Sequence, residues 1–230
     1  LIPGQGMWWS APQPDPQQAS TRFLTINKYF GDNINEFLEG KDVERAKWQA
    51  IFNGNSEHSL VLRYENTENS CLWVLSPRDL QNPMLSDLTR TALDISDLNL
   101  IGTERTPGVP PEGMFGTVST DTWCYYYEKA DLARQFGQWD QVNALWDESQ
   151  SKGFGPTVNI ELTPFIDAAM HTGRWQQAID QSTTIFRTIE RVGPYLCTFW
   201  EDDAVAQQIP AEYQTQYQGL LAEFKCQSGE

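Results

Sequence analysis

The residues that could do chemistry in this chain are few, and their spacing does not suit them to it. Its 230 residues hold two histidines, His58 and His171, and four cysteines, Cys71, Cys124, Cys197 and Cys226. Acid–base catalysis needs an imidazole or two carboxyls about 5–10 Å apart with separated pKa values. Carboxylates are plentiful, as in Glu201-Asp202-Asp203, Asp147-Glu148 and Asp121 with Glu128, but acid runs in an acidic chain read as solvated charge. No Gly-x-Ser-x-Gly, no His-Glu-x-x-His and no phosphate-cradling glycine loop occurs. No Cys-x-x-Cys marks a zinc site. The expectation is a non-catalytic fragment with no catalytic residue, no metal and no cofactor. His171 falls at a helix end just before Gly173, where an imidazole bonds free carbonyls. The cysteines are too few and too scattered for a disulfide framework and read as buried free thiols; a Cys197–Cys226 bridge is the alternative if their segments form a hairpin.

Charge narrows the partners. Sixteen Lys+Arg against thirty-one Asp+Glu leave a net charge of −15, which lacks the basic footprint a nucleic acid needs. The charge is spread over both halves, −6 over residues 1–115 and −9 over residues 116–230. Hydrophobic residues at 40%, with nine Trp, exclude wholesale disorder. No stretch reaches the roughly 18–20 apolar residues of a membrane span. The chain opens on Leu1 rather than Met, as a processed or excised piece does. Trp8 and Trp9 beside Pro3 and Gly6 suit either a fold-back onto the domain, the favoured reading, or a membrane–water interface. Residues 1–18 as a whole read as an extended segment, ending in the proline-rich linker Ala11–Gln18.

The elements that must position these residues fall into two kinds. Residues 19–105 read as a small α+β unit. Helical spacing is expected over Ser20–Phe30 and over Asp42–Phe52, with Asp42 as N-cap. Ser59–Tyr64 and Cys71–Leu75 flank a polar turn as a hairpin. A helix over Leu80–Leu93 and a third strand at Leu98–Ile101 follow. Thr106–Gly116 holds three prolines and three glycines, so a linker is placed at residues 106–118. Beyond it come helical stretches at Trp123–Phe136, Trp139–Ser151, Leu162–His171 and Trp175–Ile189. Gly137-Gln138-Trp139-Asp140-Gln141-Val142 recurs 36 residues later as Gly173-Arg174-Trp175-Gln176-Gln177-Ala178, the mark of stacked helical hairpins.

This pattern resembles the tetratricopeptide repeat family. In the first repeat the family's small, turn and aromatic positions fall on Ala130, Gly137, Trp139, Val142, Trp146 and Ser149, with Pro156 closing the unit. In the second, Gly173, Trp175 and Ala178 agree, while Ile166 and Ser182 depart from it. Small residues let antiparallel helices approach and aromatics fill the space between hairpins; Trp139, Trp146 and Trp175 are expected in the core. Tyr195–Gln208 and Ala211–Lys225 supply a third, degenerate hairpin. The resemblance implies an all-α array over residues 119–230 whose groove binds partner segments. Its groove-facing positions are Tyr127, Asp131 and Arg134, then Thr163, Asp167 and Met170. Asp131 and Asp167 occupy equivalent rungs, which would favour a basic or amide-rich ligand, against the plainer reading of two solvated charges.

The expected fold is therefore α+β, a small mixed unit followed by a helical-hairpin array. The expected function is a protein- or peptide-interaction or assembly module, the accessory domain of a larger bacterial protein. The hairpin–Ser–Pro–helix order and the Trp-rich start also loosely resemble the soluble C-terminal region of bacterial multi-pass membrane proteins, including glycosyltransferase-like ones. That resemblance implies a membrane tether upstream of Leu1, an extracytoplasmic location, and glycan binding or a part in a carbohydrate-active enzyme as the alternative function.

Overall fold

The computed structural model describes residues 34–47, 50–64, 71–102 and 119–226. The expected 1–18 segment, the Ser20–Phe30 helix and the 106–118 linker lie outside the described residues.

The fold is α+β with a helical C-terminal array. A short helix α1 (Ile34–Leu38) leads into the antiparallel pair β1 (Val43–Lys47) and β2 (Ala50–Gly54), in register Val43↔Gly54 to Lys47↔Ala50. This corrects the helix expected over Asp42–Phe52. Val43, Ala46, Ala50 and Ile51 fit a helical period, but Val43 is buried while Glu44 is exposed, the alternation of a strand. Asp42 caps nothing; it accepts a 2.8 Å bond from Asn55 Nδ2 and ties the hairpin's two ends together.

The second hairpin stands as expected. Strands β3 (Val61–Arg63) and β4 (Trp73–Leu75) pair antiparallel, Val61↔Leu75 to Arg63↔Trp73. Val61, Cys71, Trp73 and Leu75 are buried on one face; Leu62, Tyr64 and Leu72 are exposed on the other.

The helix expected over Leu80–Leu93 is broken into a 3-10 turn Pro77–Gln81, helix α2 (Asp87–Thr91) and a 3-10 turn Leu93–Ile95. Asn82 precedes Pro83, whose ring drives it to extended backbone (φ −66°, ψ 114°). Its side chain accepts from Met84 N, and Ser86 restarts the helix as N-cap. The third strand expected at Leu98–Ile101 is a 3-10 turn, Leu98–Leu100, closed by the Asp97 side chain on Asn99 N. The sheet contact falls earlier, as a single parallel bridge Ser59↔Ser96.

Antiparallel pairs build the array: α3 (Trp123–Gln135) with α4 (Trp139–Ser151), and α5 (Thr163–His171) with α6 (Trp175–Thr188). The recurring Gly explains the recurring turn. Gly137 and Gly173 sit at φ +65° and +75°, and each turn repeats the same two bonds. Gly137 N donates to Arg134 O and Gln138 N to Ala133 O; Gly173 N donates to Met170 O and Arg174 N to Ala169 O. This is the Schellman closure that an L side chain at that φ would strain. The third hairpin is less regular: α7 (Gly193–Trp200) and α8 (Asp203–Ala206) replace one long helix, and a 3-10 turn Ala211–Tyr213 precedes α9 (Gln214–Phe224).

Ala130, Val142, Trp175 and Ala178 are buried, and Trp139 and Trp146 pack half-buried against the core. Trp123, Trp146 and Phe165 form one aromatic group, with centroids 5.1–6.4 Å apart. The departure at Ser182 has a structural reason: fully buried Ser182 accepts a 3.0 Å bond from Trp200 Nε1, so the third hairpin supplies the indole.

All four cysteines are paired, Cys71 with Cys124 and Cys197 with Cys226. The free-thiol expectation is corrected. Cys71–Cys124 joins residues 53 apart in sequence, a pairing set by how the two halves dock.

Candidate functional site

The expected groove positions are brought together, but not at an open groove. Tyr127, Asp131, Thr163, Asp167 and Met170 are all under 9% exposed, and the Arg134 side chain is 14% exposed. The chain's own N-terminal unit covers them. Beyond Cys71–Cys124, Leu72 N donates to Glu128 Oε1 (2.9 Å). Trp73 Nε1 donates to Glu161 Oε1 (3.2 Å), whose Oε2 receives Trp123 Nε1 (2.8 Å). Arg78 Nη1 donates to Asp167 (3.2 Å), and the Tyr195 hydroxyl donates to Asp79 (2.8 Å).

At the centre is a charge network that uses both repeat carboxylates. Arg134 Nε and Nη2 donate to Asp131 Oδ1 at 3.0 and 2.8 Å, while its Nη1 lies 3.6 Å from Asp167 Oδ2. Asp131 also accepts from Gln135 Nε2 (3.2 Å). His171 Nδ1 sits 2.8 Å from Asp167 O, a carbonyl one turn back inside the helix and not one of the free carbonyls expected at its end, and 3.4 Å from Asp167 Oδ1; its ring stacks on Trp139 at 4.0 Å. The two aspartates 36 residues apart are buried, and both reach Arg134.

Electrostatics follow from burial. Burial alone would lower the Arg134 pKa, but Asp131 and Asp167 outweigh it and the guanidinium stays charged. Burial pushes the Tyr127 and Tyr195 phenols well up, helped by Asp131 and Asp79 respectively. Burial also raises the Glu161 carboxyl above 4.5, against the pull of its two indole donors. The cleft lined by Trp73, Asp79, Tyr127, Asp131, Arg134 and Tyr195 encloses about 20 Å³, room for one water molecule. It cannot accept a drug-sized ligand without rearrangement.

Sequence reasoning missed Arg78, Asp79 and Glu161. Each is a single charge in a turn, and only the docking of distant segments gives it a partner. Compared with known protein families, curated proteins and solved structures, the chain matches none.

Apolar surface remains on the outside. Leu62, Tyr64 and Leu72 expose 36–51% of their surface on the outer face of β3–β4. Leu72 is tied to Glu128 on α3, and Leu132 (39%) and Phe136 (41%) follow Glu128 at four-residue intervals on that helix. Spacing of i, i+4, i+8 keeps them on one side of it. Among the described residues no helix is long and apolar enough to cross a membrane.

Proposed function

We propose that the chain is a non-catalytic interaction or assembly module, the accessory domain of a larger bacterial protein, built on TPR-like hairpins. It engages a protein partner through the outer strip of Leu62, Tyr64, Leu72, Leu132 and Phe136, not through the inner groove. The observation that carries this reading is the strip itself, five large apolar side chains at least 36% exposed across two elements that a disulfide staples together. Contiguous exposed apolar surface marks protein–protein contact, and the Leu72–Glu128 bond is what brings the strand residues to the helix that carries Leu132. A rigid scaffold beneath it spares the partner the entropy of ordering it. Two disulfides favour an oxidising, extracytoplasmic compartment.

The test places a photo-crosslinking amino acid at Leu132, identifies the captured protein, and measures its affinity for the parent and for Leu72→Lys/Phe136→Lys. At about 1–2 kcal/mol for each apolar anchor, the double variant loses at least tenfold in Kd. An unchanged Kd, or equal capture from exposed Thr184 on α6, refutes the strip.

A further inference from the structure

The C-terminal helix is fastened at one point by more than packing. Gly193 opens α7 against the last turn of α9, and a Cβ there would collide with the Phe224 carbonyl oxygen. Cys197 and Glu201 follow Gly193 at successive four-residue steps, along one side of α7 and its C-cap. Lys225, in the left-handed region at φ 60°, turns the chain after α9 so that Cys226 meets Cys197. The two sulfurs and a Glu201 carboxylate oxygen all lie within 4.8 Å of one another. Cys197 is buried, Cys226 half-buried and Glu201 exposed, so the set is open to solvent on one side.

We propose that this clasp has two forms: a disulfide under oxidising conditions and, once reduced, a zinc site formed by Cys197, Cys226 and Glu201. Two thiolates and one carboxylate are the donors a borderline-soft ion takes in preference to Mg²⁺ or Ca²⁺. Three protein ligands leave the fourth position to water. The steps balance. A phosphine and one water reduce the disulfide to two thiols and leave phosphine oxide. The thiols then release two protons as both sulfurs bind Zn²⁺. In either form α7 stays fastened to the end of α9.

The experiment uses the full chain. It is reduced with a water-soluble phosphine, freed of reagent, given one equivalent of Zn²⁺ and passed through gel filtration; Co²⁺ is added in a parallel sample. The reduced parent retains one zinc and the oxidised parent none. The cobalt charge-transfer intensity corresponds to two thiolates per metal. Cys226→Ser abolishes retention, Glu201→Gln weakens it by about tenfold or more, and Cys71→Ser keeps it. Zinc lost by the reduced parent overturns the proposal, as does retention in Cys226→Ser. A cobalt spectrum of three or four thiolates overturns it too, because it places the metal on pooled cysteines of an opened chain. That count needs no variant, so a misfolding Cys71→Ser leaves the test intact.

Discussion

Replacing Arg134 with methionine tests the charge network directly. The substitution keeps an unbranched apolar stem and deletes the guanidinium between two carboxylates that are each 5% exposed or less. At an effective dielectric of about 20, the 2.8 Å contact to Asp131 is worth about 6 kcal/mol and the 3.6 Å contact to Asp167 about 4.6 kcal/mol. Desolvation of the buried ions takes back several kcal/mol each, and breaking a buried pair from one side costs about 3–5 kcal/mol overall. Among the described residues, Asp167 keeps Arg78 and His171, and Asp131 keeps Gln135. The expected loss is therefore near the low end, about 3 kcal/mol. Urea unfolding of the oxidised protein at pH 7 measures it. Asp131→Asn should cost less, and the double variant should recover about 1 kcal/mol or more of the summed losses, since the second change removes the stranded charge. A loss under about 1 kcal/mol for Arg134→Met, the level of an exposed pair, would refute the buried network.

Further outcomes follow from other contacts. Gly193→Ala drives a Cβ into Phe224 O and should destabilise by about 1–3 kcal/mol, read from the urea midpoint; an unchanged midpoint would show that the α7–α9 approach is looser than described. Lys225→Gly relieves a left-handed L residue and should raise stability by about 1 kcal/mol in the same assay. Cys71→Ser/Cys124→Ser frees a 53-residue loop and should cost about 4 kcal/mol by chain entropy, against about 3.6 kcal/mol for the 29-residue Cys197–Cys226 loop. Glu161 sets a pH dependence. Its folded carboxyl holds its proton above 4.5, where the unfolded one has released it, so its contribution falls as pH rises from 4.5 through the raised value and is flat beyond. Glu161→Gln should remove that slope from a stability–pH series.

The helical half was legible because its signals are local. Gly137 and Gly173 demand one turn geometry, and the helix expected at Trp139–Ser151 is the one observed. The charged residues Asp131, Arg134 and Asp167 could be grouped from what the tetratricopeptide-repeat resemblance implies for groove-facing positions. Their burial could not, because it depends on Trp73, Arg78 and Asp79 arriving from 50 or more residues upstream. The cysteine pairing is hidden for the same reason: Cys71 and Cys124 carry no mutual spacing rule. The β1–β2 hairpin is misread because Val43, Ala46, Ala50 and Ile51 satisfy a helical period, and only the antiparallel pairing of Val43–Lys47 with Ala50–Gly54, which splits them between two faces, decides against it.

The position of the docked unit gives the second of the two carboxylates, Asp167, a partner from outside the array. Two regular hairpins are fewer than the three or so repeats that usually stand alone, so the face carrying Tyr127, Thr163 and Met170 needs a cover. The chain provides one through Trp73 and Leu75, buried to 5% exposure or less. A cover docked on hydrophobic area alone could slide, since apolar burial has no direction. Charge pairs and indole donors have direction: Arg78 is held at Asp167, Trp73 at Glu161, and Tyr195 at Asp79. Reaching two rungs of the array at once fixes the register of the cover along it. Asp167 thus does inside the molecule what the same position would do for an external ligand, while Asp131 holds the Arg134 guanidinium that both carboxylates share.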